Sequence, residues 1–120
     1  MRKKYLSIFF IAFLAMSCSP FKSIHSTTYI KANDAFILGN NKHGKFYANV
    51  TNISNFEITI WQYPIDGGRH SPITLQPSTS TKVNVDKNTS LRIENSSNEE
   101  VAVKLKVRGD TGLSMGYKNK

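Results

Sequence analysis

The chain has 120 residues, a formal net charge of +8, 39% hydrophobic residues and one cysteine. That length corresponds to one small domain, enough for its own packed core. A lone cysteine excludes a disulfide scaffold within the monomer.

The first element is a leader. Met1-Arg2-Lys3-Lys4 carries positive charge only, Tyr5 to Met16 is apolar apart from Ser7, and small residues follow to Ser17-Cys18. A basic start, a short apolar run and a small-residue site make a secretory signal peptide. The run falls short of the roughly 20 apolar residues that a membrane span requires. Leu14-Ala15-Met16-Ser17-Cys18 resembles the lipobox of bacterial lipoproteins, with Leu14 one position further from the cysteine than is usual. The resemblance implies a signal peptide over 1–17, lipid on the Cys18 sulfur, cleavage just before it and acylation of the new amino terminus. Two or more acyl chains hold a protein firmly on a bilayer, whereas one binds reversibly. The expected location is therefore the bacterial cell envelope, lipid-anchored, and Ser19 after the cysteine fits sorting to the outer membrane. An ordinary signal peptide or an uncleaved N-terminal anchor are the alternatives.

Cleavage before Cys18 removes 17 of the 120 residues and leaves 103, and three of the 16 basic residues leave with them. The remaining 13 basic and 8 acidic residues give +5. This charge suits an anionic lipid or glycan surface and is equally an ordinary value for solubility. With export, it argues against nucleic acid as a partner.

Residues 18–28, the cysteine and "SPFKSIHSTT", read as the lipidated residue and a polar tether. Residues 29–120 read as one domain with almost no helical periodicity. Alternation recurs instead: Phe46, Ala48 and Val50; Phe56, Ile58 and Ile60; Val83 and Val85; Leu91 and Ile93; Val101, Val103, Leu105 and Val107. A period of two with one apolar face predicts half-buried strands. Weaker strands are expected near Ala35 to Leu38 and from Leu113 to Tyr117. Turn residues break the runs at Gly39 to Gly44, Asn52 to Asn55, Asp66 to Gly68, Pro77 to Ser80, Asp86 to Asn88, Asn95 to Asn98 and Gly109 to Gly112. Seven or eight strands with that many apolar faces need two packed sheets. The predicted class is all-β, an antiparallel two-sheet sandwich of immunoglobulin-like or jelly-roll type, with a closed barrel second. No internal repeat is evident.

The residues offer little catalytic chemistry. His25, His43 and His70 lack zinc-motif spacing. Met115 with His43 or His70 would make at most a loose copper set, and Met on a strand face is more often core. No G-x-S-x-G elbow or phosphate-cradling glycine motif exists. The carboxylates Asp66, Glu99, Glu100 and Asp110 fall in expected loops, where solvated charge is the default. No enzyme activity, metal or cofactor is expected. Asn49, Asn52, Asn88 and Asn95 each begin a glycosylation-type triplet, for which the abundance of Asn, Ser and Thr is sufficient cause.

Two surface features stand out. Trp61 and Tyr63 alternate with Ile58 and Ile60, so they should lie opposite the core; with Tyr47 on a neighbouring strand they would form an aromatic patch for a sugar or protein. The alternative is that a loop or strand twist covers them. Lys104, Lys106 and Arg108 form a positive row on one strand, suited to anionic lipid, glycan or an acidic partner. The alternative is a solvated face that protects a strand from foreign pairing. The expected function is a lipid-anchored envelope binding module, held at the membrane by its N-terminal lipid and engaging an envelope protein or glycan. The alternative is a structural accessory subunit of an envelope assembly.

Overall fold

The computed structural model describes residues 23–119, so the signal segment and Cys18 lie outside the described residues. Nine strands run in order: β1 Ser23–Ile30, β2 Asp34–Leu38, β3 Phe46–Asn52, β4 Ile58–Pro64, β5 His70–Leu75, β6 Ser80–Val85, β7 Thr89–Asn95, β8 Val101–Gly109 and β9 Met115–Tyr117. They form a four-stranded sheet, β1-β8-β3-β6, and a five-stranded sheet, β5-β4-β7-β2-β9. The antiparallel pairs β1·β8, β2·β7, β3·β6 and β4·β5 nest one inside another. That nesting is the jelly-roll order, which selects the jelly roll over the immunoglobulin-like alternative. The short β9 pairs with β2 and extends the second sheet.

Nine strands exceed the expected seven or eight because β1 occupies most of the segment read as tether. Its apolar content is thin, with Ile24 partly buried and only Thr28 and Ile30 buried on the inner face. What makes it a strand is pairing: every residue from Ser23 to Ile30 is in register with β8, from Arg108 to Val101. A polar outer face and two serines hide that alternation in the sequence.

The core follows the predicted stripes. Phe46, Ala48 and Val50, then Val101, Val103, Leu105 and Val107, face Ile58, Ile60, Leu91 and Ile93 across the sandwich, and Phe36, Leu38 and Leu75 complete the packing. Burying each Val, Leu or Ile contributes about 1.5–3 kcal/mol. Phe56 departs from expectation: it precedes β4 and is 38% exposed. Its carbonyl accepts a hydrogen bond from Asn52 Nδ2 at 2.8 Å, which ties it into a turn before the strand begins.

That turn has a counterpart. At the end of β3, Asn52 is fully buried; its Oδ1 accepts from Ser54 N (3.0 Å) and Ser54 Oγ (2.6 Å), while Nδ2 donates to the carbonyls of Phe56 and Leu75. At the end of β7, Asn95 is 1% exposed; its Oδ1 accepts from Ser97 N (2.9 Å) and Ser97 Oγ (2.6 Å). Its Nδ2 donates to the carbonyls of Ile30, Lys31 and Glu99. Both Asn-x-Ser-Asn turns sit where the chain leaves one sheet for the other. The sequence therefore does hold a repeat, four residues long and used twice, and in two of its glycosylation-type triplets the asparagine is a buried structural pin.

Candidate functional site

The outer faces of the two sheets carry the candidate residues. On the five-stranded sheet, Ile58, Ile60 and Gln62 point inward and leave Trp61 and Tyr63 on the outer face of β4, both half-buried. Trp61 is in register with Arg92 on β7, and Tyr63 with Ser90. Two guanidinium groups cover the rings. The Arg69 guanidinium carbon lies 3.9 Å from the Trp61 ring centroid, and that of Arg92 lies 3.9 Å from the Tyr63 centroid. Arg69 Nη1 also approaches the Tyr63 hydroxyl at 3.4 Å. Arg69 is delivered by the β4–β5 connection, where Gly67 and Gly68 adopt φ of +110° and +81° that a side chain would resist. The result is a cation–π array of two aromatics and two arginines. Arg92 Nε is buried and has no hydrogen-bond partner among the described residues, and the stack on Tyr63 orients the group there.

Tyr47 does not join this array. It belongs to β3, in the other sheet, on the outer face, with Lys82 Nζ 4.1 Å above its ring. The expected three-residue aromatic patch is thus split between opposite sides of the sandwich. Sequence distance between strands says nothing about which sheet each joins, and β3 and β4 are separated by a crossing between sheets.

Lys104, Lys106 and Arg108 do share one outer face, on β8. As a solvated outer face they protect no strand edge, because β8 is flanked by β1 and β3. Across the sheet, Lys106 is level with His25 on β1 and Asn49 on β3, and Asn49 is level with Lys82 on β6. Arg108 is level with Ser23 and Tyr47, and Lys104 with Thr27 and Thr51. Lys82 completes the basic set. It was legible as an outward residue between Thr81 and the inward Val83, but its nearness to β8 follows only from the sheet order. None of the chain's eight acidic residues lies on any of these four strands. A shallow open groove of about 550 Å³ runs over the face, lined by His25, Thr27, Asn49, Thr51, Lys104 and Lys106.

The remaining candidates serve the fold. His43 is buried, with Nδ1 2.6 Å from the Gly44 carbonyl and Nε2 2.9 Å from that of Thr89, and its ring packs on Phe46. His70 bonds Ser71 Oγ, and Met115 is exposed on β9 instead of in the core. Asp110 accepts from Gly44 N and Gly112 N; these backbone donors, Gly44 first, hold its carboxyl below the ordinary value. Among the described residues no three His, Cys, Asp or Glu side chains converge as a metal site would require.

No family model and no curated protein matches the chain. Solved structures do resemble it in fold. The capsular polysaccharide assembling protein CapF from Staphylococcus aureus superposes with a TM-score of 0.55 at 15% identity, over 74% of this chain and 25% of CapF. Bacillus endospore appendages, a family of disulfide-linked pili, give 0.50 at 17% identity, over 73% of this chain and 84% of the pilus chain. The chain spans only a quarter of CapF. At these identities the likeness establishes the β-rich fold and nothing of activity.

Proposed function

We propose that the chain is a lipid-anchored, non-catalytic binding module of the bacterial cell envelope. The observation that supports this reading is the array of Trp61, Tyr63, Arg69 and Arg92 on the outer face of the five-stranded sheet. Trp, Tyr and Arg dominate the few residues that carry most of an interface's affinity. Here the two arginines restrain the rings before any partner arrives, which lowers the entropy cost of binding. One ring face of each aromatic is occupied, so a partner would meet ring edges, the other face and the outward guanidinium N–H groups. An envelope protein or a glycan presents the acceptors that such a surface matches.

Affinity capture from membranes, with the anchor intact, tests this. Trp61→Ala with Tyr63→Ala should cut retention of the partner by about thirtyfold or more, the range of a true hot spot. An unchanged set of captured molecules would remove the array as the site. Mass spectrometry should find Cys18 diacylated at sulfur and at the head of the mature chain.

A second reading, an accessory subunit bound through a sheet edge, draws on the fold likeness to pilus chains over most of their length. Cross-linking into a complex of fixed stoichiometry would favour it; reversible glycan retention would favour the first.

A further inference from the structure

We infer that the outer face of the four-stranded sheet docks flat on the bilayer that holds the lipid anchor, wherever that bilayer exposes anionic headgroups. This deepens the anchored reading and rests on it.

Charge is the first ground. The face presents Lys82, Lys104, Lys106 and Arg108, with His25 beside them, and no carboxylate on any of its four strands. The opposite outer face is mixed, with Glu94 two residues from Arg92 on β7. The three cations of β8 repeat about every 6.8 Å, and Lys82 lies two strand spacings away, about 9.6 Å. The charge is therefore spread over a plane, and the groove between the side chains is open. A plane of charge is complementary to a charged surface more than to a small ligand, which needs enclosure.

Connection is the second ground. Four residues separate Cys18 from Ser23, and the five Cα–Cα steps between them reach at most about 18 Å. Ser23 opens β1, the edge strand of this sheet, and is level with Arg108. The tether thus delivers the lipid at a corner of the basic face. Beyond a Debye length of about 8 Å at physiological salt, attraction to the membrane is largely screened. A short tether keeps the nearest cations close to that range and lets the others follow as the sheet lies down. Trp61, on the far sheet, would then face away from the bilayer, free for a partner.

The lipidated protein, purified in detergent and reconstituted into vesicles, provides the test. A fluorophore is placed through Asn49→Cys, amid the basic face, or through Thr74→Cys, on the outer face of β5. Brominated lipid should quench the first and spare the second in vesicles containing phosphatidylglycerol at 0.15 M salt. Vesicles of phosphatidylcholine alone should spare both. Changing Lys82, Lys104, Lys106 and Arg108 to Gln should abolish the quenching, and each single change should weaken docking about fivefold. Equal quenching of both sites, or quenching indifferent to lipid charge, would overturn the docking. So would heparin, added as a soluble polyanion, displacing the face from anionic vesicles at stoichiometric amounts, which would assign it to a glycan. If mass spectrometry finds Cys18 bare, the anchor reading fails on its own, while salt-sensitive partition of that unlipidated chain onto anionic vesicles, lost in the four-Gln variant, would still uphold the face.

Discussion

Asn95→Ala should be among the most damaging single substitutions outside the hydrophobic core. The side chain is 1% exposed and joins the β1 end, the β7 end and the β7–β8 connection. Its bond to the Ile30 carbonyl is buried, so removing the donor strands that oxygen at a cost of about 1–3 kcal/mol. The bonds to Lys31, Glu99 and Ser97 are partly buried, and water can replace some of them, at about 0.5 kcal/mol each. The sum is about 3–5 kcal/mol, and a domain of this size loses roughly 4–8 °C in Tm per kcal/mol. Urea and thermal unfolding followed by the fluorescence of Trp61, the only tryptophan, give the number directly. Asn95→Asp should be as severe at neutral pH, because a carboxylate oxygen would face three carbonyl oxygens where the amide now donates. Asn52→Ala should cost nearly as much, since its turn repeats these bonds apart from the one to Lys31. A loss below about 1 kcal/mol for either alanine variant would refute the role assigned to these turns, because even one stranded buried carbonyl exceeds it.

Gly109→Ala should destabilise by about 2–4 kcal/mol in the same assay: φ is +103°, and a Cβ would sit 2.9 Å from the Lys45 carbonyl oxygen and from Phe46 Cα. Asp110 sets an acid limit. Its pKa is lowered in the fold from an ordinary 3.8, so its contribution is complete above 3.8 and disappears as pH falls through the lowered value. Asp110→Asn should lack that acid-range loss, and an NMR titration of the Asp110 carboxyl carbon should show a midpoint under 3.8. Arg69→Ala should shift Trp61 emission to the red by uncovering the ring, with a stability cost of only about 0.5–1 kcal/mol, as expected for an exposed cation–π pair; an unmoved spectrum would show that the stack does not persist in solution.

The inward stripes were legible because burial on one face enforces alternation; β3 follows it throughout and β8 as far as Arg108, while β7 breaks it at Ser90, buried between Thr89 and Leu91. β1 was not, because it is held by a full register against β8 and contributes few apolar side chains. Outward direction was equally legible for Trp61, Tyr63 and the β8 row. Company was not: Tyr47 and Trp61 both point outward, yet the chain changes sheets between them, so they look in opposite directions. Arg69 and Arg92 were missed for a related reason. Arg69 reaches Trp61 from a glycine turn, and Arg92 meets the Tyr63 ring across strands that are adjacent only after folding. The paired Asn-x-Ser-Asn turns were visible as letters, but their meaning lies in burial, which the letters do not carry.

The nested order of strands sets when the molecule can become itself. β4 and β5 meet across a short turn, whereas β1 must wait for β8, with Ser23 matched to Arg108. Such remote pairings make folding slow and late. A nascent chain ending before Val101 lacks the strand that joins β1 to β3, so half the sandwich has no centre until synthesis is nearly finished. The same strand carries the basic row, so that surface charge is gathered into a plane only at the moment the last long strand closes the roll.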